Sequence, residues 1–385
     1  MKKRLFTQSA LCSLMLSLGL ASSLTFGAAT AAFAQGKPPV KIAAIVPLSG
    51  AGAFDGQLAL EGMQTMANMI NAKGGILDGR KIELVTYDDK GLPEEGVSAA
   101  KRAIEQDKVD AVVGGWFSAV GLAMKETTRD NMLTVMTSGQ HPDLTEKGHK
   151  YLFRLNATST MMSDKYSKFI CDKMKPKSVA FITVNDDYGR LEVENYTRLL
   201  GACGITVKGN EFYNRNDTDF TTVLTKLRSL QPDAIYVSAI NTAQGATIYR
   251  QLKQTGFKGT IIASAGNMNP KLLELSGAAL EGVYSVSLFT PDTKNPIAVQ
   301  WIAEYGKLYK NQPAFIGTLG AQAVELIAGA MNKAGDSRDY NKISAAMRGQ
   351  KWNTLLGEIS LDEKGQAQQN LYLIQVRGGK ITNAN

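Results

Sequence analysis

Histidine is nearly absent from this chain, with two among 385 residues, His141 and His149. No Cys–His cluster or H-E-x-x-H pair accompanies them, so zinc-type chemistry has no ligand set to build on. Cysteine is almost as scarce, at three. Gly74-Gly75 and Gly114-Gly115 form neither a phosphate-cradling P-loop nor a dinucleotide fingerprint. No nucleophile elbow surrounds Ser118, whose neighbours two positions away are Trp116 and Val120. The acid pairs Asp88-Asp89 and Asp186-Asp187 fall at strand ends, where capping is their ordinary role. Basic residues outnumber acidic ones, 43 to 35, yet they are dispersed with no aromatic-interleaved block, which argues against nucleic acid as a partner. Beyond the first 34 residues no segment is apolar enough to cross a bilayer. These absences argue against an enzyme and leave no expected catalytic residue, metal ligand or cofactor.

What is present begins with Lys2, Lys3 and Arg4, an apolar run from Leu11 to Leu20, and Ala32-Phe33-Ala34. That is the pattern of an export signal cleaved after residue 34. Its removal leaves 40 basic against 35 acidic residues, a net charge of +5. Cys171 and Cys203 remain, and export makes a disulfide between them chemically possible. Their spacing leaves paired and free thiols equally open.

Strand and helix signals then alternate, the pattern of parallel sheets covered on both faces. Strands are expected at 41–46, 81–87, 109–113 and 132–136, and after a helix at 159–174 again at 178–184, 205–212, 233–238, 259–263 and 281–286. Helices near 295–310, 318–334 and 339–350 precede closing strands at 355–361 and 370–376. Two α/β units joined near 154–157 follow. Ligands in such sheets sit beyond the carboxyl ends of the strands. That rule selects the loops 49–56, 114–119, 137–141, 185–190, 238–242 and 264–268. Ser118 follows the strand DAVVGG and precedes a helix, so it is expected as an N-cap beside free amides that suit a carboxylate.

The string KIAAIVPLSGAGAFDGQLALEGMQTMANMINAKGGILDGRKIELVTYDD (41–89) resembles the start of the periplasmic leucine/isoleucine/valine-binding protein family, the receptors of branched-chain amino-acid ABC importers. The likeness continues through PDLTEKGHKYLFRLN (142–156), KPKSVAFITVNDDYGR (175–190), TDFTTVLTKLRSLQPDAIYV (218–237) and GEISLDEKGQ (357–366). It implies an α/β fold of two Rossmann-like lobes with parallel central sheets, joined by a three-strand hinge, the type I periplasmic binding protein fold. The lobes would be 37–156 with 289–356, and 157–288 with 357–385. It further implies a soluble periplasmic monomer that closes over a small ligand and delivers it to a membrane permease. A ligand-sensing subunit of a signalling system is the alternative, and an exported serine hydrolase a more distant one.

By the same resemblance Ser118 would hold the ligand's carboxylate, with Ser138 and Gln140 beside it. Gln140 stands where the family has a threonine. Tyr188 would reach the ligand from the second lobe and Phe315 would line the side-chain pocket, with Trp116 and Phe117 as further aromatic wall or as core. The family's ammonium-neutralising glutamate falls on Ala265, and a tyrosine serving the same group falls on Ile240. Asp55 or Asp186 would then have to supply the missing charge. Otherwise the ligand lacks an ammonium group and is an organic acid, an amide or an aromatic carboxylate.

Overall fold

Val40–Val46 is apolar at nearly every position, and a parallel strand without polar alternation is stable only when covered on both faces. It is buried accordingly as β1. The computed structural model describes residues 37–384 apart from 266, 267, 291, 311 and 312. The expected export signal lies outside the described residues. β1 pairs in parallel with β2 (Ile82–Asp88) on one side and β3 (Ala111–Gly114) on the other. β4 (Thr134–Met136) and β5 (Leu152–Arg154) complete a sheet of order β2-β1-β3-β4-β5. The connecting helices are α1 (Ala53–Ala72), α2 (Pro93–Glu105) and α3 (Ser118–Thr128).

The pattern then repeats. α4 (Ser159–Phe169) leads into β6 (Ser178–Val184), α5 (Asp187–Ala202), β7 (Thr206–Tyr213), α6 (Thr221–Ser229) and β8 (Ala234–Val237). α7 (Thr242–Gln254), β9 (Thr260–Ala263), α8 (Pro270–Ser276) and β10 (Tyr284–Ser287) follow. The parallel strands of this second sheet run β7-β6-β8-β9-β10, the same order as the first. In both, the direction of winding reverses beside the first strand of the unit, which opens a crevice at the strand ends there.

After β10 the chain returns to the first unit. α9 (Pro296–Tyr309) and α10 (Phe315–Ala334) pack on α1, and α11 (Tyr340–Arg348) packs on α10. The α1–α10 contact is close because it is made by glycines. A Cβ on Gly62 would stand 2.0 Å from the Gly317 carbonyl oxygen. Residues expected as one strand over 355–361 are instead divided. β11 (Lys351–Thr354) and β12 (Gly357–Leu361) form a hairpin, extended by the short β13 (Ala367–Gln368), and Leu355 donates its amide to Glu325 at the turn. This hairpin joins residues on both sides of the 356/357 boundary expected between lobes. β14 (Tyr372–Arg377) and β15 (Lys380–Asn383) then add antiparallel edges to the second sheet.

Three segments thus cross between the sheets, after β5, after β10 and before β14. Two are tied side by side. Arg154, fully buried, donates Nε to Gln366 at 2.6 Å, and Gln366 and Gln369 donate to the carbonyls of Asn156 and Leu155. The cysteines are paired: Cys171–Cys203 fastens the turn after α4 to the end of α5.

Candidate functional site

A cavity of about 60 Å³ opens where the strand ends of the two sheets face each other. On that measure a water needs about 10–15 Å³, so the space suits a small molecule. From the first unit come Trp116, Phe117 and Ser118 after β3, and Ser138, Gly139 and Gln140 after β4. From the second come Asp186 and Tyr188 after β6, Arg215 after β7, Ala239 and Ile240 after β8, and Ala265 after β9. Six of the eight expected site residues therefore line one cavity.

Ser118 does not cap α3. It is the first helical residue, and Phe117 holds the N-cap position without a side-chain bond. The hydroxyl of Ser118 instead accepts the backbone amides of Gln140 and His141, at 3.1 and 3.2 Å. With its oxygen serving two donors, the hydroxyl hydrogen is left to point at an acceptor. The loop it holds is anchored from behind. Arg154 donates to the His141 carbonyl, and Asn156 donates to the Ser138 carbonyl at 2.8 Å. Gly115, with φ 69°, makes the turn into this site, where a Cβ would meet Met136 Sδ at 2.3 Å. His149 is buried.

On the opposite wall Tyr188 presents its ring while its hydroxyl is sunk beside Glu192. Burial, then the Glu192 charge, drives the phenol far above its usual range. Glu192 is itself buried and accepts from Tyr236 at 2.7 Å and from Ser238. Its carboxyl is raised chiefly by burial. Asp186 caps α5 through Gly189 and takes a 2.5 Å ion pair from Arg215 Nη2. The Arg215 guanidinium carbon lies 4.4 Å from the Phe117 ring centroid, reaching across from the second unit to the first.

Two expected residues lie elsewhere. Asp55 is buried at the start of α1 and turned to the first turn of α7. It accepts from Thr242 Oγ1 at 2.7 Å and Thr242 N at 3.1 Å, outside the cavity. Burial pushes its carboxyl up to about 6 despite those bonds. Phe315 opens α10 and lines a separate apolar cavity with Met268, Leu273 and Phe289. The loop 49–56 does not reach the main cavity either. Asp88 at the end of β2 holds that loop through Leu48 N and Ser49 Oγ. Arg215 is the cavity residue that sequence reasoning missed. It follows the edge strand 206–213, whose carboxyl end the strand-end rule would also have selected.

The alternating sheet order, the crossing segments and the facing strand ends agree with the relatives. The profile described as periplasmic binding protein matches residues 39–380. The Leu/Ile/Val-binding protein BraC3 of Rhizobium johnstonii is 30% identical over 353 residues, covering 90% of this chain and 94% of that one. The leucine-, isoleucine-, valine-, threonine- and alanine-binding protein of Pseudomonas aeruginosa is 28% identical, over 87% and 89%. The crystal structure of the leucine-binding protein LivK of Thermotoga maritima superposes with a TM-score of 0.82 at 29% identity, covering 90% of this chain and 98% of that one. The chain therefore belongs to the periplasmic binding protein family, among the leucine/isoleucine/valine-binding type of ABC-transporter substrate-binding proteins.

Proposed function

We propose that this protein is the non-catalytic periplasmic receptor of an ABC importer, closing as a monomer over a small carboxylate-bearing solute and presenting it to the permease. The lobes are 37–156 with 289 onward and 157–288 with the C-terminal strands; because the β11–β12–β13 sheet spans the expected 356/357 boundary, the last crossing falls between β13 and β14. The observation that carries the reading is the Ser118 hydroxyl, whose oxygen is occupied by two amides while it borders a cavity walled by both units. The opening turn of α3 adds amides without helical partners and a positive helix end, which favour an anion there. Ser138, Gln140, Tyr188, Trp116 and Phe117 shape the rest. Among the described residues Ser118 makes no hydrogen bond to an imidazole or carboxylate base, which argues against a serine hydrolase.

Binding energy favours the closed form to the extent that ligand contacts both lobes at once. The test is a thermal-shift screen of ligand-stripped mature protein with branched-chain and polar amino acids, short amides, dicarboxylates and aromatic acids. A ligand at a thousand times its Kd stabilises by about 4 kcal/mol. Silence from every class at millimolar concentration would refute a receptor role for this cleft.

A further inference from the structure

The unspent hydrogen-bonding capacity of the cleft is unequal in sign. Arg215 Nη1 is buried without a partner among the described residues, although Nη2 is paired with Asp186. The Ser118 hydroxyl hydrogen and the first amides of α3 are further donors. A buried guanidinium N–H left unmatched is costly, so the occupied site places an acceptor against it.

The acids, by contrast, are already paired or turned away from the cavity. Asp186, the one carboxylate lining the cavity among the described residues, has its charge paired with Arg215 through one oxygen and takes the Gly189 amide on the other. Glu192 stands behind Tyr188 with both oxygens taken by Tyr236 and Ser238. Asp55 faces Thr242 outside the cavity. Where a carboxylate could have met an ammonium, Ala265 and Ile240 form apolar wall. Gln140 Oε1 is also buried without a partner among the described residues, but a neutral amide, which can turn to present either end, does not compensate a buried cation.

Resting on the receptor reading above, the geometry points to Arg215 as the specificity-determining residue and to an organic acid without an ammonium group as the ligand class. Its carboxylate is held by the Ser118 hydroxyl from one lobe and Arg215 Nη1 from the other, so the anion itself bridges the closed cleft. Both donors line the same cavity, and Arg215 lies over Phe117, the residue before Ser118.

The experiment is calorimetric titration of the full mature protein with matched probes: leucine against 4-methylpentanoate, phenylalanine against 3-phenylpropanoate, and benzoate against benzamide. Acids without the ammonium bind at least tenfold tighter than their amino acids, and benzoate tighter than benzamide. Arg215→Gln loses that acid-over-amide preference at least tenfold. Because this variant strips Asp186 of its partner, the Asp186→Asn/Arg215→Gln double variant is measured beside it. It restores the melting temperature without restoring the preference, which a merely structural role would not produce. Tighter leucine or phenylalanine binding, or an acid preference unchanged in both variants, overturns the inference and leaves the receptor reading standing. Failure of every probe, with melting unmoved in the wider ligand screen, overturns both.

Discussion

The Asp55–Thr242 contact ties closure to protons. It joins α1 of the first unit to α7 of the second, so it exists only while the strand ends face each other as they do here. In an open form Asp55 is solvated and titrates near an ordinary ~3.9. In the closed form its carboxyl is pushed up to about 6 by burial. The closed state therefore binds the proton more tightly. Its advantage is fully present below the open-state value and is lost as pH rises through about 6. The difference of roughly two units corresponds to about 3 kcal/mol of closing free energy. Asp55→Asn keeps an acceptor for Thr242 and removes the buried charge. Its closure is expected to be independent of pH and at pH 7 no weaker than that of the natural protein. Small-angle scattering of ligand-free protein from pH 4 to 8 reads the radius of gyration. Acidification compacts the natural protein and leaves the variant unchanged. Identical profiles for the two proteins would refute the latch.

Three further outcomes follow from contacts already described. Ser118→Ala weakens ligand binding at least tenfold, about 1.4 kcal/mol, with the melting temperature of the free protein held; unchanged affinity removes Ser118 from the site. Gly62→Ala drives a methyl against the Gly317 carbonyl and separates α1 from α10, at about 1–3 kcal/mol in a denaturant titration; a midpoint equal to that of the natural protein would mean the helices part freely. Reduction of Cys171–Cys203, which closes a loop of sequence separation 32, costs about 3–4 kcal/mol by loop entropy. Calorimetry with and without reductant measures it, and coincident transitions would show that the unfolded chain gains nothing from release.

The sequence by itself determined what local pattern can carry. Predominantly apolar runs such as 41–46 and 178–184 are strands because nothing else buries both their faces, and their alternation with helices makes two parallel sheets. The strand-end rule brought Ser118, Ser138, Gln140, Tyr188, Trp116 and Phe117 together, since each is fixed by its own strand and turn. Boundaries set by long-range partners were not legible in the same way. The hairpin at 351–361 turns where Glu325, thirty residues earlier, receives Leu355. Only the tertiary structure decided how residues from different units divide their hydrogen bonds. Asp55 and Asp186 were equal sources of charge in the sequence; the fold turns one to Thr242 and spends the other on Arg215. Phe315 goes to a separate cavity because α10 is seated by the α1 glycines, not by the cleft. Periodicity reports which face of an element is buried, but not which polar group across a cleft is left with a bond still to make.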